Sequence, residues 1–138
     1  MLSFSTCWNS AKHHDGKGLL EEIVGLGFDT VELSHGMTVS LLPGIKDFYD
    51  AGKIKVSGLH NFFPSPVEVM VDAPDCYEFT SYRKHERERA YNLTLRTLET
   101  AAKFDAKYLV LHMGSTTLRK RTKELEDMVK AGTLNSRD

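Results

Sequence analysis

Apolar positions along the chain fall into two alternating patterns. Short runs rich in β-branched, aliphatic and aromatic residues lie at Leu2 to Cys7, Thr30 to Ser34, Ile54 to His60 and Tyr108 to His112, as expected of strands in a parallel sheet. Between them, apolar or small residues recur every three or four positions: Leu19, Leu20, Ile23, Val24 and Leu26; then Leu41 to Tyr49; then Ala90, Leu93, Thr97, Leu98, Ala101 and Phe104 in a run beginning at Glu86. That period predicts helices, and a last one is expected over Thr117 to Ala131. Gly27, Gly52 and Gly132 stand where helix stops belong. The order β-α-β-α-β-α-β-α predicts an α/β fold with parallel strands joined through helical crossovers. Asn61 to His85, which carries Pro64, Pro66 and Pro74, is too long for an ordinary connection and is expected to be a functional loop. No repeat, low-complexity stretch or boundary divides residues 1–138, so a single domain is expected.

Composition narrows the class. With 138 residues, 41% hydrophobic and 27% charged, the chain has the make-up of an ordinary globular domain. No window approaches the roughly 20 apolar residues needed to span a bilayer. The start "MLSFSTCWNSAKHH" lacks a secretory pattern, so a cytoplasmic location is expected. Cys7 and Cys76 match no metal spacing and read as free thiols. Eighteen basic against nineteen acidic residues give no general pull on polyanions, and nucleic acid is not the expected partner. Asn92-Leu93-Thr94 has the form of a glycosylation acceptor but falls inside the strongest helical pattern, so it is read as chance.

The candidate chemistry sits at strand ends. In parallel α/β sheets the carboxyl ends of the strands face a common crevice or mouth where ligands bind. His60 and His112 end the third and fourth predicted strands, and Glu32 interrupts the apolar second strand. Period-two counting puts Tyr108, Val110 and His112 on one face, and Ile54, Val56, Gly58 and His60 on one face. Imidazoles suit zinc, manganese or iron, and carboxylates complete such sites. A carboxylate in an apolar strand needs a polar cavity, a cation or a buried salt bridge. His35 and Asn61 extend the second and third strand ends and are candidate substrate contacts with Glu32 and His60. His13, His14 and Asp15 also lie on the expected mouth side, although paired loop histidines are usually only solvated. Arg83 and Arg87, in "RKHERER", read as the solvated start of a helix.

Three phrases, "GLGFDTVELS" (Gly25 to Ser34), "SGLHNFFPSP" (Ser57 to Pro66) and "RERAYNLTLRTLETAAKFDAKYLVLHMGS" (Arg87 to Ser115), resemble the xylose-isomerase-like TIM-barrel superfamily. That superfamily includes sugar and sugar-phosphate isomerases and epimerases as well as endonuclease IV. The resemblance implies a (β/α)8 barrel, of which this chain would be the N-terminal half with four βα units. It implies a divalent metal (Mn, Zn, Mg or Co) at the carboxyl ends of the strands and a small sugar or polyol substrate. In the endonuclease IV branch the positions matching His60 and His112 bind zinc. In the isomerase branch the main ligands come from later strands, so His60, His112 and Glu32 would touch substrate or support the site. The later ligands have no counterpart here, which puts catalysis by this chain alone in question. A partial chain is therefore expected, with closure of the barrel by a second copy as the alternative. A non-catalytic half-barrel or assembly module is the remaining reading.

Overall fold

Asp15 starts the first helix: its carboxylate accepts the Gly18 N–H at 2.8 Å and satisfies one of the first-turn donors. In the computed structural model, which describes residues 2–69, 73, 75–115 and 121–135, helix α1 runs over Gly16–Gly25, α2 over Leu42–Asp50, α3 over Lys84–Lys103 and α4 over Thr122–Ala131. The strands are β1 (Phe4–Ser5), β2 (Thr30–Leu33), β3 (Lys55–His60) and β4 (Tyr108–Val110). They form one four-stranded sheet in the order β1-β2-β3-β4. Every neighbouring pair is parallel, so the fold is α/β. Among the described residues no helix is long and apolar enough to cross a membrane.

The predicted alternation matches the observed element order, and the boundaries differ for physical reasons. The first strand is far shorter than Leu2 to Cys7, because the chain turns into short 3₁₀ segments from Thr6 onward. Thr6 is buried there, with its hydroxyl accepting the Ser34 N–H at 2.9 Å, so it splices the end of β1 to the end of β2. Helix α1 begins at Gly16, three residues before Leu19, the first periodic apolar position, because the Asp15 cap starts it there. The expected start of the last helix, Thr117, lies outside the described residues; its end at Ala131 and the left-handed Gly132 are as expected.

One face of the sheet is apolar and buried. Val31 and Leu33 from β2 and Val56 and Leu59 from β3 join Leu19, Leu20 and Ile23 of α1, Ile45 and Phe48 of α2, and Ala101 and Phe104 at the end of α3 in a single core. The helices α1 and α2 meet almost backbone to backbone. A Cβ on Gly16 would stand 2.0 Å from the Leu41 carbonyl oxygen, and one on Gly44 would stand 2.4 Å from the Lys17 nitrogen. By contrast α4 has no buried residue.

The period-two expectation for β3 needs correction. Val31 pairs with Val56 but Glu32 pairs with Gly58, so Ser57 is an extra residue that shifts the register. Such a bulge reverses side-chain parity along the strand. Ile54 and Val56 therefore pack in the core, while Gly58 and His60 share the opposite face with Glu32 and Tyr108.

The glycine contacts give a test with opposite signs. Gly44→Ala is expected to cost about 3 kcal/mol, the upper end for overpacking, because its neighbours are rigid backbone. Gly25→Ala, which meets nothing within 4 Å, is expected to stabilise by about 0.5–1 kcal/mol. Urea unfolding of the two variants measures both.

Candidate functional site

The face of the sheet turned away from the helices is polar. Ser5 of β1, Glu32 of β2 and Tyr108 of β4 project from it in lateral register with Gly58 of β3, and His60 stands two residues further along β3 on the same face. His112 follows two residues after the last paired residue of β4 and keeps that parity. The result is a chain of contacts across the strands. Tyr108 donates to Glu32 Oε2 at 3.0 Å and Ser5 donates to Glu32 Oε1 at 3.4 Å. Glu32 Oε1 lies 3.6 Å from His60 Nδ1. His60 Nε2 is 2.7 Å from His112 Nε2, and His112 Nδ1 is 2.8 Å from Asp75 Oδ1.

These distances assign the protons. A carboxylate only accepts, so His112 carries its proton on Nδ1 toward Asp75 and leaves Nε2 bare. Two bare nitrogens cannot rest 2.7 Å apart, so in the neutral pair His60 donates through Nε2. Its Nδ1 then presents a lone pair to Glu32, which accounts for the wider 3.6 Å separation on that side. Glu32 satisfies itself instead with the hydroxyls of Tyr108 and Ser5. Burial, with His35 as the next cause, holds His60 below the ordinary imidazole pKa and outweighs the attraction of Glu32.

His35 completes a group of three imidazoles. Its ring stands edge-on to His60 with centroids 4.9 Å apart and to His112 at 6.1 Å. Its Nδ1 is buried without a hydrogen-bond partner among the described residues, an orphaned polar atom inside the cluster. Glu32, His35, His60 and His112 are thus brought together.

Asn61 is not part of this group. It is 1% exposed, its amide donates to Thr94 Oγ1 at 2.8 Å, and its carbonyl accepts from Thr97 Oγ1 at 3.0 Å. Thr97 also accepts the Phe63 N–H at 3.0 Å. Asn61 is thus buried with both ends of its side chain engaged by α3, and it ties the end of β3 to that helix. His13, expected near the mouth, is engaged with Glu22 at 2.8 Å beside Asn9, and those two bonds hold the Glu22 carboxyl below its usual range.

Sequence reasoning missed Asp75. It lies in the long loop, which has no periodicity to read, and its position follows from packing. Cys76, Tyr77 and Phe79 seat against Phe62, Ala90 and Leu93, a small second core that clamps the loop onto α3. Ser115 donating to Glu78 at 2.9 Å, and Thr80 donating to the Ser115 carbonyl at 3.1 Å, close it over the end of β4. Burial pushes the Cys76 thiol above its usual range, which disfavours the thiolate.

The His60 and His112 Nε2 atoms, 2.7 Å apart, bring two nitrogen donors to one point. Nitrogens bound to one zinc at tetrahedral angles stand about 3.3 Å apart, so the two rings would part by roughly 0.6 Å to admit a cation. His112 donates its far nitrogen to the Asp75 carboxylate at 2.8 Å, the outer-shell pattern of histidine metal ligands, whereas Glu32 stands 3.6 Å from the far nitrogen of His60. Among the described residues, however, no group of three or more His, Cys, Asp or Glu is placed to hold a metal ion. The residues present fit two corners of a coordination sphere. No protein-family model, curated protein or solved structure matches the chain.

The His60 shift sets a pH dependence. A folded-state pKa below the unfolded value means that the unfolded chain binds the proton first. Stability is then full above about pH 6.5 and falls as pH drops through that value toward the folded pKa. Carboxylates such as Glu22 and Glu86, which are held low, act only below about pH 4.5. The urea midpoint of the metal-free protein is expected to fall between pH 7.5 and 5, and to fall less in His60→Gln.

Proposed function

We propose that this chain supplies four βα units of a xylose-isomerase-like (β/α)8 barrel, and that its polar face serves a metal-assisted isomerase or epimerase of sugars or related polyols. The observation that carries this reading is the convergence of His60 and His112 at the carboxyl ends of adjacent parallel strands, with Asp75 bonded to the outer nitrogen of His112 and Glu32 3.6 Å from that of His60. A barrel would place this face inside and the helices outside. Remaining ligands would come from the rest of the barrel, whether a second copy or further units.

Isomerisation and epimerisation next to a carbonyl move one proton between carbon and a protein base. A divalent cation, when bound, would polarise the carbonyl oxygen, and two imidazoles favour zinc, manganese or cobalt over magnesium. For His60 and His112 to hold it, both Nε2 atoms must be bare. His112 already is, and Glu32 stands on the Nδ1 side of His60, where the displaced proton goes. His35, with its orphaned nitrogen, is placed to bind or relay a proton beside them.

The surroundings favour a small neutral substrate. Asp75 and Glu32 flank the imidazole pair, and among the described residues no lysine or arginine bonds to either of them or to the three imidazoles. Such a site repels phosphate and suits hydroxyls.

The second reading, an endonuclease IV-like zinc nuclease acting at abasic sites, is favoured by one observation. The two histidines that meet are the pair the resemblance assigns to zinc in that branch. The acidic lining opposes it, since DNA binding calls for a basic groove.

Isothermal titration with Co²⁺ is expected to show binding that His60→Ala or His112→Ala weakens about a hundredfold or more. Exchange of solvent deuterium into free ketoses or aldoses in the presence of the metal supports the isomerase reading. Cleavage of an abasic-site oligonucleotide without such exchange replaces it with the nuclease. Absence of Co²⁺ binding overturns both.

A further inference from the structure

Tyr108 reaches farther than its strand neighbours. It stands on β4, yet its hydroxyl donates to Glu32 on β2, so its ring lies across β3. What it crosses is Gly58. A Cβ there would stand 2.3 Å from the Tyr108 ring, closer than any real contact. The bulge that brings Ser57 onto the same route adds a second support: Ser57 Oγ is 3.3 Å from the Tyr108 hydroxyl and 2.6 Å from Ser3 Oγ. A partly exposed tyrosine laid over a notch in the neighbouring strand, with its one polar atom on a carboxylate two strands away, is held for what that atom does.

We propose that Tyr108 is a positioning residue, seated in the notch of Gly58, that aims Glu32 at His60 Nδ1. Glu32 has two oxygens with separate tasks. Oε2 takes the Tyr108 hydroxyl, and Oε1, which also accepts from Ser5, is the one beside His60. Fixing Oε2 leaves the carboxylate one rotational setting, in which Oε1 faces the imidazole. Without the tyrosine hydroxyl the carboxylate is free to swing toward solvent, and His60 loses the group that would take its Nδ1 proton. The value of this to function rests on the metal reading above; the geometry itself does not.

Tyr108→Phe separates the two. The ring still fills the notch, so the unfolding midpoint is expected to stay near the wild-type value while the carboxylate is released. In the metal-free protein, the nuclear Overhauser contact between the Glu32 methylenes and the His60 ring is expected in the wild type and lost in Tyr108→Phe. Co²⁺ affinity is expected to fall about tenfold, the lower end for outer-shell losses. Gly58→Ala, which displaces the ring but keeps the hydroxyl, is expected to reproduce both effects. In Tyr108→Phe/Glu32→Ala the loss of affinity is expected to equal that of Glu32→Ala alone, because the tyrosine acts only through the carboxylate. A Tyr108→Phe protein that keeps the contact and binds Co²⁺ within twofold of wild type overturns the proposal and leaves the metal reading standing. Loss of the contact in a chain whose wild type binds no Co²⁺ upholds the positioning role and removes the metal reading.

Discussion

Burial of one sheet face under α1, α2 and the end of α3 is the constraint on which the other features depend. Val31, Leu33, Val56 and Leu59 point into a core closed by Leu19, Leu20, Ile23, Ile45 and Phe104. Because side chains alternate along a strand, fixing those residues on one face delivers Glu32, His60 and Tyr108 to the other. The apolar residues thus set where the polar ones stand. Full burial of an aliphatic side chain contributes roughly 1.5–3 kcal/mol, whereas the hydrogen bonds across the polar face contribute about 1 kcal/mol each. The core holds the register, and the polar network takes the geometry it is given.

Two local devices adapt that frame for chemistry. The extra residue at Ser57 lets Ile54 and Val56 serve the core while Gly58 and His60 serve the polar face, which a regular strand could not do. The missing side chain at Gly58 then opens the passage for Tyr108. Either feature alone would read as an irregularity in β3. Together they connect β4 to β2 across the strand between them.

The imidazole pair has different partners on its two sides. His112 has a firm bond to Asp75, while His60 has a longer approach to Glu32 and a depressed pKa. In this arrangement the His60 proton stands on Nε2, between the two rings, and its Nδ1 faces Glu32 bare. The loop that brings Asp75 is held by its own small core with Phe62 and Leu93, so the His112 side is set by packing and the His60 side by hydrogen bonding.

By itself the sequence determined the alternation of strands and helices, the strand ends at which His60 and His112 stand, and the helix period over Ala90 to Phe104. These are local matters of periodicity, and periodicity follows from the geometry of a single element. Tertiary structure alone decided the rest. The bulge at Ser57 depends on pairing with β2, so no count along β3 could reveal it. Asn61 was drawn away from the mouth by Thr94 and Thr97, whose hydroxyls sit in an otherwise apolar helical stripe. Asp75 was brought to His112 by a loop with no pattern of its own, and Tyr108 reached Glu32 over residues 50 and 76 positions away. Contacts between residues so far apart in sequence are set by how the elements pack, which the local pattern of a chain does not encode.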